Sequence, residues 1–195
     1  MPGGTVLTDG LLHFLDELIR WNKTYNLTSV RDPEEMVTRH LLDSLSVDTY
    51  IKSDSVLDVG AGAGLPGIPL ALVNPHASFV LMDSNGKKIR FIEHVVRELK
   101  LQNVLPLQAR VESHSDHVVF DTIVCRAYAS LLDFVSSSGH MLADGGEMIA
   151  MKGKVPQAEL DELPAAWTVA RMDKVDVPGL DGERHILVLR QTAVH

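Results

Sequence analysis

One stretch of this 195-residue chain constrains its fold more than any other: an apolar strand that runs into a glycine-rich turn and then a helix. The strand is Ser55 to Val59, and it is followed by Gly60, Gly62, Gly64 and then Pro66, where a helix is predicted to begin. Because glycine lacks a Cβ and tolerates positive φ, this turn can bring bare backbone against a ligand. The helix behind it presents unsatisfied N–H groups and the positive end of its dipole. The stretch therefore predicts a loop that binds a nucleotide-type ligand.

From residue 51 onward the chain alternates strands with helices. The predicted strands are 55–59, 78–82, 104–108, 121–125 and 146–151, and the predicted helices are 66–73, 86–100 and 130–142. This alternation indicates an α/β fold whose mostly parallel sheet carries helices on both faces. Two further strands, Trp167 to Val175 and His185 to Leu189, have no helix between them, so they predict a C-terminal antiparallel hairpin.

Residues 1–50 differ from the rest because they show only helical periodicity. An amphipathic helix is predicted over 8–21, and a second one is predicted from the N-cap Asp32 and Pro33 to about Tyr50. We therefore predict an N-terminal helical extension over 1–50 and an α/β domain over 51–195, packed as one globular domain.

Composition limits the possible classes of protein. Hydrophobic residues make up 45% of the chain and charged residues 23%, as in ordinary globular proteins. No apolar run approaches the roughly 20 residues that span a bilayer, and the first residues lack a signal-peptide pattern. The single cysteine, Cys125, excludes an internal disulfide. We expect a cytoplasmic protein with no membrane partner.

The formal net charge of −8 bears on possible partners. Dedicated nucleic-acid binders usually carry a basic excess, so this charge argues mildly against one. It does not exclude a nucleic-acid-binding protein, because phosphates interact with a local basic surface rather than with the net charge of the whole chain.

The spacing of the glycines narrows the ligand. A dinucleotide site has the pattern Gly-x-Gly-x-x-Gly, whereas this chain has Asp58, then Gly60, Gly62 and Gly64 at alternate positions. That register resembles motif I of the class I S-adenosylmethionine-dependent methyltransferases, which have a Rossmann-like fold. Asp83 ends the second strand, where such enzymes bind ribose hydroxyls; NAD enzymes use a similar acid, so Asp83 alone does not discriminate.

A closer resemblance extends over nearly the whole chain. Its blocks are Trp21–Arg31, Arg39–Ser44, Asp58–Pro69, Arg126–Ser130, Met151–Gly153 and Leu180–His185. Together they resemble the signature blocks of the RsmG (GidB) family.

The resemblance implies that 51–195 is a methyltransferase domain that uses S-adenosyl-L-methionine. It also implies methylation of N7 of guanosine 527, within the 530 loop of bacterial 16S ribosomal RNA. The implied partner is this RNA or the small ribosomal subunit, and we expect a monomer.

The resemblance also implies the site residues. The expected cofactor contacts are Gly60, Gly62, Gly64, Leu65, Asp83, Val111, Glu112 and Arg126. Asp83 would bind the ribose, and Val111 and Glu112 would lie beside the adenine. Arg126, at the end of the fourth strand, is the expected catalytic residue. Its role is open between holding the cofactor carboxylate and orienting the guanine or an RNA phosphate.

A positive rim for RNA phosphates is expected at one end of the sheet. Its predicted members are Arg110, Lys152, Arg184 and His185, with Lys154 and Arg126 beside them. Tyr25 and Tyr128 are candidates for stacking on unpaired bases, although packing explains each of them more readily. His114, Asp116 and His117 lack the spacing of a metal site, so no metal is predicted.

The chemistry of N7 methylation explains why no general base stands out. Guanine N7 carries a free lone pair and no proton, so the reaction depends on alignment with the methyl donor. Two alternatives stay open: a methyltransferase acting on a small molecule, which the acidic net charge favours, and a non-catalytic nucleotide-sensing ribosome-assembly factor. A dehydrogenase fits the glycine register less well.

Overall fold

The computed structural model describes residues 2–113, 118–128 and 130–192, without the side chains of residues 2–6 and 113. The strands are β1 (Ser55–Val59), β2 (Ser78–Asp83), β3 (Val104–Gln108), β4 (Phe120–Arg126), β5 (Leu142–Lys152), β6 (Trp167–Val175) and β7 (Arg184–Gln191). The α-helices are α1 (Pro2–Tyr25), α2 (Pro33–Met36), α3 (Asp43–Leu45), α4 (Gly67–Val73), α5 (Gly86–Glu98), α6 (Leu131–Ser138) and α7 (Gln157–Asp161).

Within the described residues the strands form one seven-stranded sheet in the order β3-β2-β1-β4-β5-β7-β6. The pairs among β1 to β5 are parallel, whereas β7 pairs antiparallel with both β5 and β6. This confirms the predicted mostly parallel sheet with a C-terminal antiparallel pair. The strand order reverses between β1 and β4, and ligands of open α/β sheets bind in the crevice at such a switch point.

Helices cover both faces of the sheet because neighbouring strand residues point in opposite directions. Val56 and Val124 pack in one apolar cluster, together with Phe14 of α1 and Ile92 of α5. Leu57 and Ile123 pack in the other cluster, against Phe134 of α6. Helix α1 lies against α4 and α5, so the N-terminal extension shares the core of the sheet. The boundary after residue 50 stays a prediction.

The N-terminal extension differs from the sequence prediction in its helix bounds. Helix α1 continues to Tyr25, past the predicted end at residue 21, and it ends where Asn26 takes a left-handed φ of 52°. Asn22 is buried in the last turn because its side chain bonds the following loop: Oδ1 accepts from Thr28 N, and Nδ2 donates to Val30 O. The polar residues after position 21 therefore order this loop rather than end the helix.

The second predicted helix is not a continuous α-helix. A π-helix, Val37–Leu42, separates α2 from α3, and a 3-10 turn, Asp48–Tyr50, follows. The predicted N-cap is confirmed, because the Asp32 side chain accepts from Glu34 N and Glu35 N. π-Turns widen a helix locally and occur often at functional sites.

Elsewhere the differences concern element ends. Strand β5 begins at Leu142 rather than at 146, and helix α6 stops at Ser138 before a 3-10 turn, Gly139–Met141. The short helix α7 is an element that the sequence pattern did not indicate. No helix in the described part of the chain combines the length and apolar character needed to cross a bilayer.

A buried hydrogen bond links β1 to α4 behind the glycine turn. Gly67 N donates to Asp58 Oδ2 over 2.8 Å, and the Asp58 side chain is fully buried. A Cβ at Gly67 would lie 2.7 Å from that same oxygen and 2.7 Å from Leu81 Cγ. The helix therefore starts this close to the strand only with glycine at position 67.

Gly67→Ala should lower the free energy of unfolding by about 1–3 kcal/mol, the usual cost of overpacking. Gly10→Ala is the matched control, because its Cβ would meet only the flexible end of Leu72, at 3.2 Å. In the interior of α1 that change should be neutral or add up to about 1 kcal/mol. Urea unfolding of both variants measures the difference, and equal stabilities would contradict the close packing at Gly67.

The second prediction concerns the pH dependence of stability. Burial raises the pKa of the Asp58 carboxyl from 3.8 to about 7, while the Gly67 hydrogen bond and the charge of Arg126 oppose the rise. Because the folded state holds this proton more tightly, the native state should lose stability as pH rises between those two values. Asp58→Asn removes the titration, so urea unfolding should show the variant gaining stability relative to the wild type between pH 3.8 and about pH 7. A constant difference would contradict it.

Candidate active site

The glycine turn after β1 has left-handed backbone at each alternate position. Gly60, Gly62 and Gly64 have φ values of 70°, 59° and 78°, which other residues adopt at a cost. The turn is fixed to β2 by two bonds from Gly60 N and Ala61 N to Met82 O. It is also fixed by Asp83, whose Oδ2 accepts from Gly62 N over 2.9 Å. The glycines at alternate positions in the sequence are therefore explained by the backbone, which has a positive φ at each of them.

The glycines differ in what lies above them. A Cβ at Gly64 would meet Ile68 Cγ1 at 2.6 Å, so this position is closed by the protein itself. At Gly60 the nearest atoms are those of the Tyr128 ring, at 3.9 Å, and at Gly62 nothing comes closer than 3.8 Å. Gly60 and Gly62 therefore leave open space over bare backbone, as a ligand cradle requires.

A first cavity, of about 290 Å³, opens beside Gly60. Its lining is Val59, Gly60, Met82, Asp83, Ser84, Lys88, Ala109, Arg110, Val111, Glu112 and Tyr128. In this lining, Asp83 Oδ1 accepts a hydrogen bond from Asn85 N. Lys88 Nζ lies 3.7 Å from Asp83 Oδ2. Val111 and Glu112 belong to a 3-10 turn after β3. The cavity size is near the lower end of small-molecule sites, roughly 300–1,000 Å³.

A second cavity, of about 400 Å³, lies where the N-terminal extension meets the carboxyl edge of the sheet. Its lining is Thr28, Ser29, Val30, Arg39, His40, Asp43, Arg126, Ala127, Met151, Lys152, Gly153 and Arg184. The extension thus supplies one wall, and the ends of β4, β5 and β7 supply the other. Because β7 runs antiparallel, its first residue reaches the same edge as the last residues of β4 and β5.

Two arginines in this second cavity share one buried carboxylate. Arg184 Nε donates to Asp43 Oδ1 over 2.7 Å, and Arg126 Nη1 lies 3.4 Å from Asp43 Oδ2. The same Arg126 nitrogen donates to the backbone oxygen of Arg39 over 3.0 Å. Burial lowers the pKa of Arg126, whereas the charges of Asp43 and Asp58 raise it. The group stays a cation, as arginine does in proteins.

The other polar groups of the second cavity are also held in place. His40 Nε2 and Thr28 Oγ1 are 2.9 Å apart, and Thr28 Oγ1 also accepts from Val30 N. Burial, then the charge of Arg126, lowers the pKa of His40 from 6.5 to about 4, so its ring is neutral at physiological pH. Lys152 Nζ donates to Glu159 of α7 over 2.8 Å. Four cationic side chains and one carboxylate thus line the cavity, which favours an anionic ligand.

The two cavities are adjacent along the chain. Arg126 and Ala127 line the second cavity, and Tyr128 lines the first. Ala127 has a φ of 59°, an uncommon conformation for alanine that turns the chain between the two. The Tyr128 ring is held by a 2.9 Å hydrogen bond between its hydroxyl and Ser137 Oγ and by the ring of Phe134, whose centroid is 5.5 Å away.

The structure brings together only part of the predicted site. Of the predicted cofactor residues, Gly60, Asp83, Val111 and Glu112 line the first cavity, whereas Gly62, Gly64 and Leu65 lie outside its lining. The Arg126 side chain belongs to the second cavity instead. No contact with a cofactor tests these roles, so they remain predictions.

The predicted phosphate rim is divided between the two cavities. Lys152 and Arg184 line the second cavity with Arg126, whereas Arg110 lines the first. His185 is buried beside them, with Nδ1 lying 3.4 Å from Gly153 O. Tyr25 is exposed and packs on Trp21, at the end of α1. His114, Asp116 and His117 lie outside the described residues.

Asp43, Arg39 and His40 are cavity residues that belong to the resemblance block Arg39–Ser44, but for which no site role was predicted. A signal was present: a carboxylate stands between apolar residues in Leu41-Leu42-Asp43-Ser44-Leu45. A charge inside such a run is costly to bury unless it is paired. Its partners come from strands more than 80 residues away, so the sequence alone did not reveal them.

The fold is similar to that of known methyltransferases. A SAM-dependent methyltransferase from Thiobacillus denitrificans, solved in complex with S-adenosyl-L-homocysteine, aligns with a TM-score of 0.56. The alignment covers 77% of this chain and 90% of that one at 11% sequence identity. At that identity the likeness establishes the fold alone.

Sequence comparison is more specific. Ribosomal RNA small subunit methyltransferase G of Xanthomonas axonopodis pv. citri is 49% identical over 181 residues, which cover 93% of this chain and 85% of that protein. The protein of the same name from Salmonella arizonae is 47% identical over 195 residues, which cover 98% and 94% of the two chains. The family model described as rRNA small subunit methyltransferase G matches residues 8–187. This chain belongs to the rRNA small subunit methyltransferase G family.

Proposed function

We propose that this protein transfers the methyl group of S-adenosyl-L-methionine to N7 of guanosine 527, in the 530 loop of bacterial 16S ribosomal RNA. The observation that carries the proposal is the pair of adjacent cavities, one beside the glycine turn and one lined by cations. Only Ala127 separates Arg126 of the second cavity from Tyr128 of the first. A methyl donor in the first cavity and a base in the second would therefore meet at the end of β4.

The first cavity fits the cofactor. Bare backbone at Gly60, which lines this cavity, can approach the methionine part, because a Cβ there would lie 3.9 Å from the nearest neighbouring atoms. The Asp83 oxygens each accept one backbone N–H, and a carboxylate has about four acceptor sites, so two remain for the ribose hydroxyls. Glu112 also lines this cavity, and its carboxylate would accept from the adenine amino group. When bound, the cofactor supplies an electrophilic methyl group on a sulfonium.

The second cavity fits a nucleotide of single-stranded RNA. Arg126, Lys152 and Arg184 present cations toward the space where a phosphate would lie, and arginine binds phosphate through two parallel N–H groups. This location favours, for Arg126, the role of orienting the guanine or phosphate over that of binding the cofactor carboxylate. A negative protein thus carries a local positive surface at the edge of its sheet.

The cavity is suited to a reaction that needs alignment but no general base. The Asp43 carboxylate is held by two arginines, and the neutral His40 ring is bonded to Thr28. N7 of guanine carries no proton, so nothing has to be abstracted when its lone pair attacks the methyl group. The residues of this chain then contribute by orienting the base and excluding water.

Gly60→Ala tests the cofactor cradle. The new methyl group would project into the first cavity, so the Kd for S-adenosylhomocysteine should rise at least about tenfold, or 1.4 kcal/mol. Gly145→Ala is the matched control, because Gly145 has a similar φ of 75° with no atoms near its Cβ direction, in β5. Both variants should pay the same left-handed strain of about 1–2 kcal/mol in unfolding. Calorimetric titration that finds equal affinities would contradict the cradle.

Mapping of N7-methylguanosine tests the function directly. Ribosomal RNA from cells that lack the gene should gain one methyl group at guanosine 527 when incubated with the purified protein and labelled S-adenosylmethionine. RNA from wild-type cells, already methylated there, is the control and should take up no label. Cofactor binding without label in either RNA would instead favour a small-molecule substrate or a non-catalytic assembly factor.

A further inference from the structure

We propose that Asp43 is a positioning residue, which holds Arg126 and Arg184 as a pair of donors for the RNA phosphate beside the target guanosine. This inference rests on the proposed function and names the residue that sets the geometry of its substrate site. Asp43 lines the second cavity, and each of its two oxygens pairs with one arginine, so we assign its effect to the placement of these arginines.

The first observation is where the three side chains come from. Arg126 ends β4, Arg184 begins β7, and β5 lies between these strands in the sheet. Adjacent strands are about 4.8 Å apart, so the two arginine backbones are separated by roughly 10 Å. The Asp43 carboxylate comes from the extension, just after the π-helix, and spans this gap with one oxygen on each arginine.

The second observation is that the arginines keep donors for a ligand. The bonds formed by Arg184 use Nε and Nη1, the latter to Glu183 O over 3.0 Å. Within the described part of the chain, those of Arg126 use Nη1. A guanidinium carries five N–H groups, so each side chain has further donors after these bonds are made. Both residues line the second cavity, where a bound phosphate would meet these donors.

The third observation is electrostatic. Asp43 is buried, and a carboxylate in a site for anions weakens the attraction of that site for phosphate. Burial is the main cause of the lowered pKa of Arg126, and the charge of Arg184 lowers it further. Two guanidinium groups of like charge in one cavity repel each other and would move apart without a shared anion. The shared carboxylate opposes that repulsion and orients both groups. The Asp43 carboxylate therefore weakens the affinity of the cavity for RNA phosphate but improves the orientation of the two arginines. Because these effects are opposite, an experiment can separate them.

Asp43→Asn is the decisive variant. Loss of the charge should leave RNA affinity unchanged or higher, because the cavity becomes more positive. Misplacement of the arginines should lower kcat by about 100-fold. The Kd for S-adenosylhomocysteine should not change, because Asp43 does not line the first cavity. Filter binding of 16S RNA, single-turnover methylation and calorimetry measure the three quantities.

Asp48→Asn is the matched control in the same extension. Asp48 Oδ1 accepts from Asn74 Nδ2 over 2.7 Å, and an asparagine oxygen can accept the same bond. Asp48 is not among the residues that line the second cavity. This variant should methylate RNA at the wild-type rate.

A double-mutant cycle shows whether Asp43 acts through Arg184. If it does, Asp43→Asn should cost much less in an Arg184→Gln background than in the wild type. If Asp43→Asn does not fold, Arg184→Lys replaces it: lysine keeps the charge but cannot present the planar fork, so kcat should fall while RNA affinity is kept.

Three outcomes would overturn the inference. The first is an unchanged kcat in Asp43→Asn, or in Arg184→Lys if Asp43→Asn does not fold. The second is a loss of kcat and of cofactor affinity in equal proportion, and the third is full additivity in the double-mutant cycle. Each is read against a wild-type protein that methylates guanosine 527. Failure of the wild type to do so refutes the proposed function instead, so the two failures are distinguishable.

Discussion

The site depends on two carboxylates that fix the glycine turn from opposite sides. Asp58 accepts from Gly67 N at the start of α4, and Asp83 accepts from Gly62 N inside the turn. Three left-handed residues within five positions would cost an ordinary sequence several kcal/mol, and glycine removes most of that cost. The two hydrogen bonds then select one conformation from those that glycine allows. The open backbone over Gly60 is a consequence of this clamp.

Strand order explains why a second cavity lies next to the first. The chain leaves β1 toward β2 and β3 and returns on the other side at β4, so a crevice forms between the carboxyl ends of β1 and β4. The antiparallel β7 adds its N-terminal residue to the same edge. The extension covers this edge with its π-helix and loop, and in doing so completes the wall that holds Asp43. Cofactor chemistry and substrate recognition thus come from different parts of the chain.

Charge in this protein is local rather than global. The chain carries a formal net charge of −8, yet four cationic side chains line the second cavity. Around that cavity Asp43 and Glu159 each hold cations at short distance. Pairing with a carboxylate weakens the attraction of these cations for an anionic ligand, but it also limits the motion of their long side chains. A reaction that depends on alignment requires such limited motion. The same burial keeps His40 neutral, so the cavity does not depend on a group that titrates near physiological pH.

The sequence by itself determined the features that depend on local chemistry. These are the strand, glycine turn and helix around Gly60, the alternating strands and helices, the N-cap at Asp32 and the family, whose blocks are continuous in the chain. The structural features follow from backbone preferences or apolar spacing within about 20 residues, whereas the family was indicated by the resemblance of its sequence blocks. It also indicated that Arg126, Lys152 and Arg184 lie at one edge of the sheet. Arg126 and Lys152 end parallel strands, and Arg184 begins an antiparallel one, so all three reach the same edge.

Only the tertiary structure decided which groups share a cavity. It placed Arg110 apart from the other cations, turned Arg126 toward Asp43, and interrupted the second helix with a π-turn. The partners of Asp43 stand 83 and 141 residues away, and their meeting depends on sheet order, strand direction and burial together. Periodicity carries no information about such contacts, because a paired buried carboxylate and an exposed one are the same letter in the sequence.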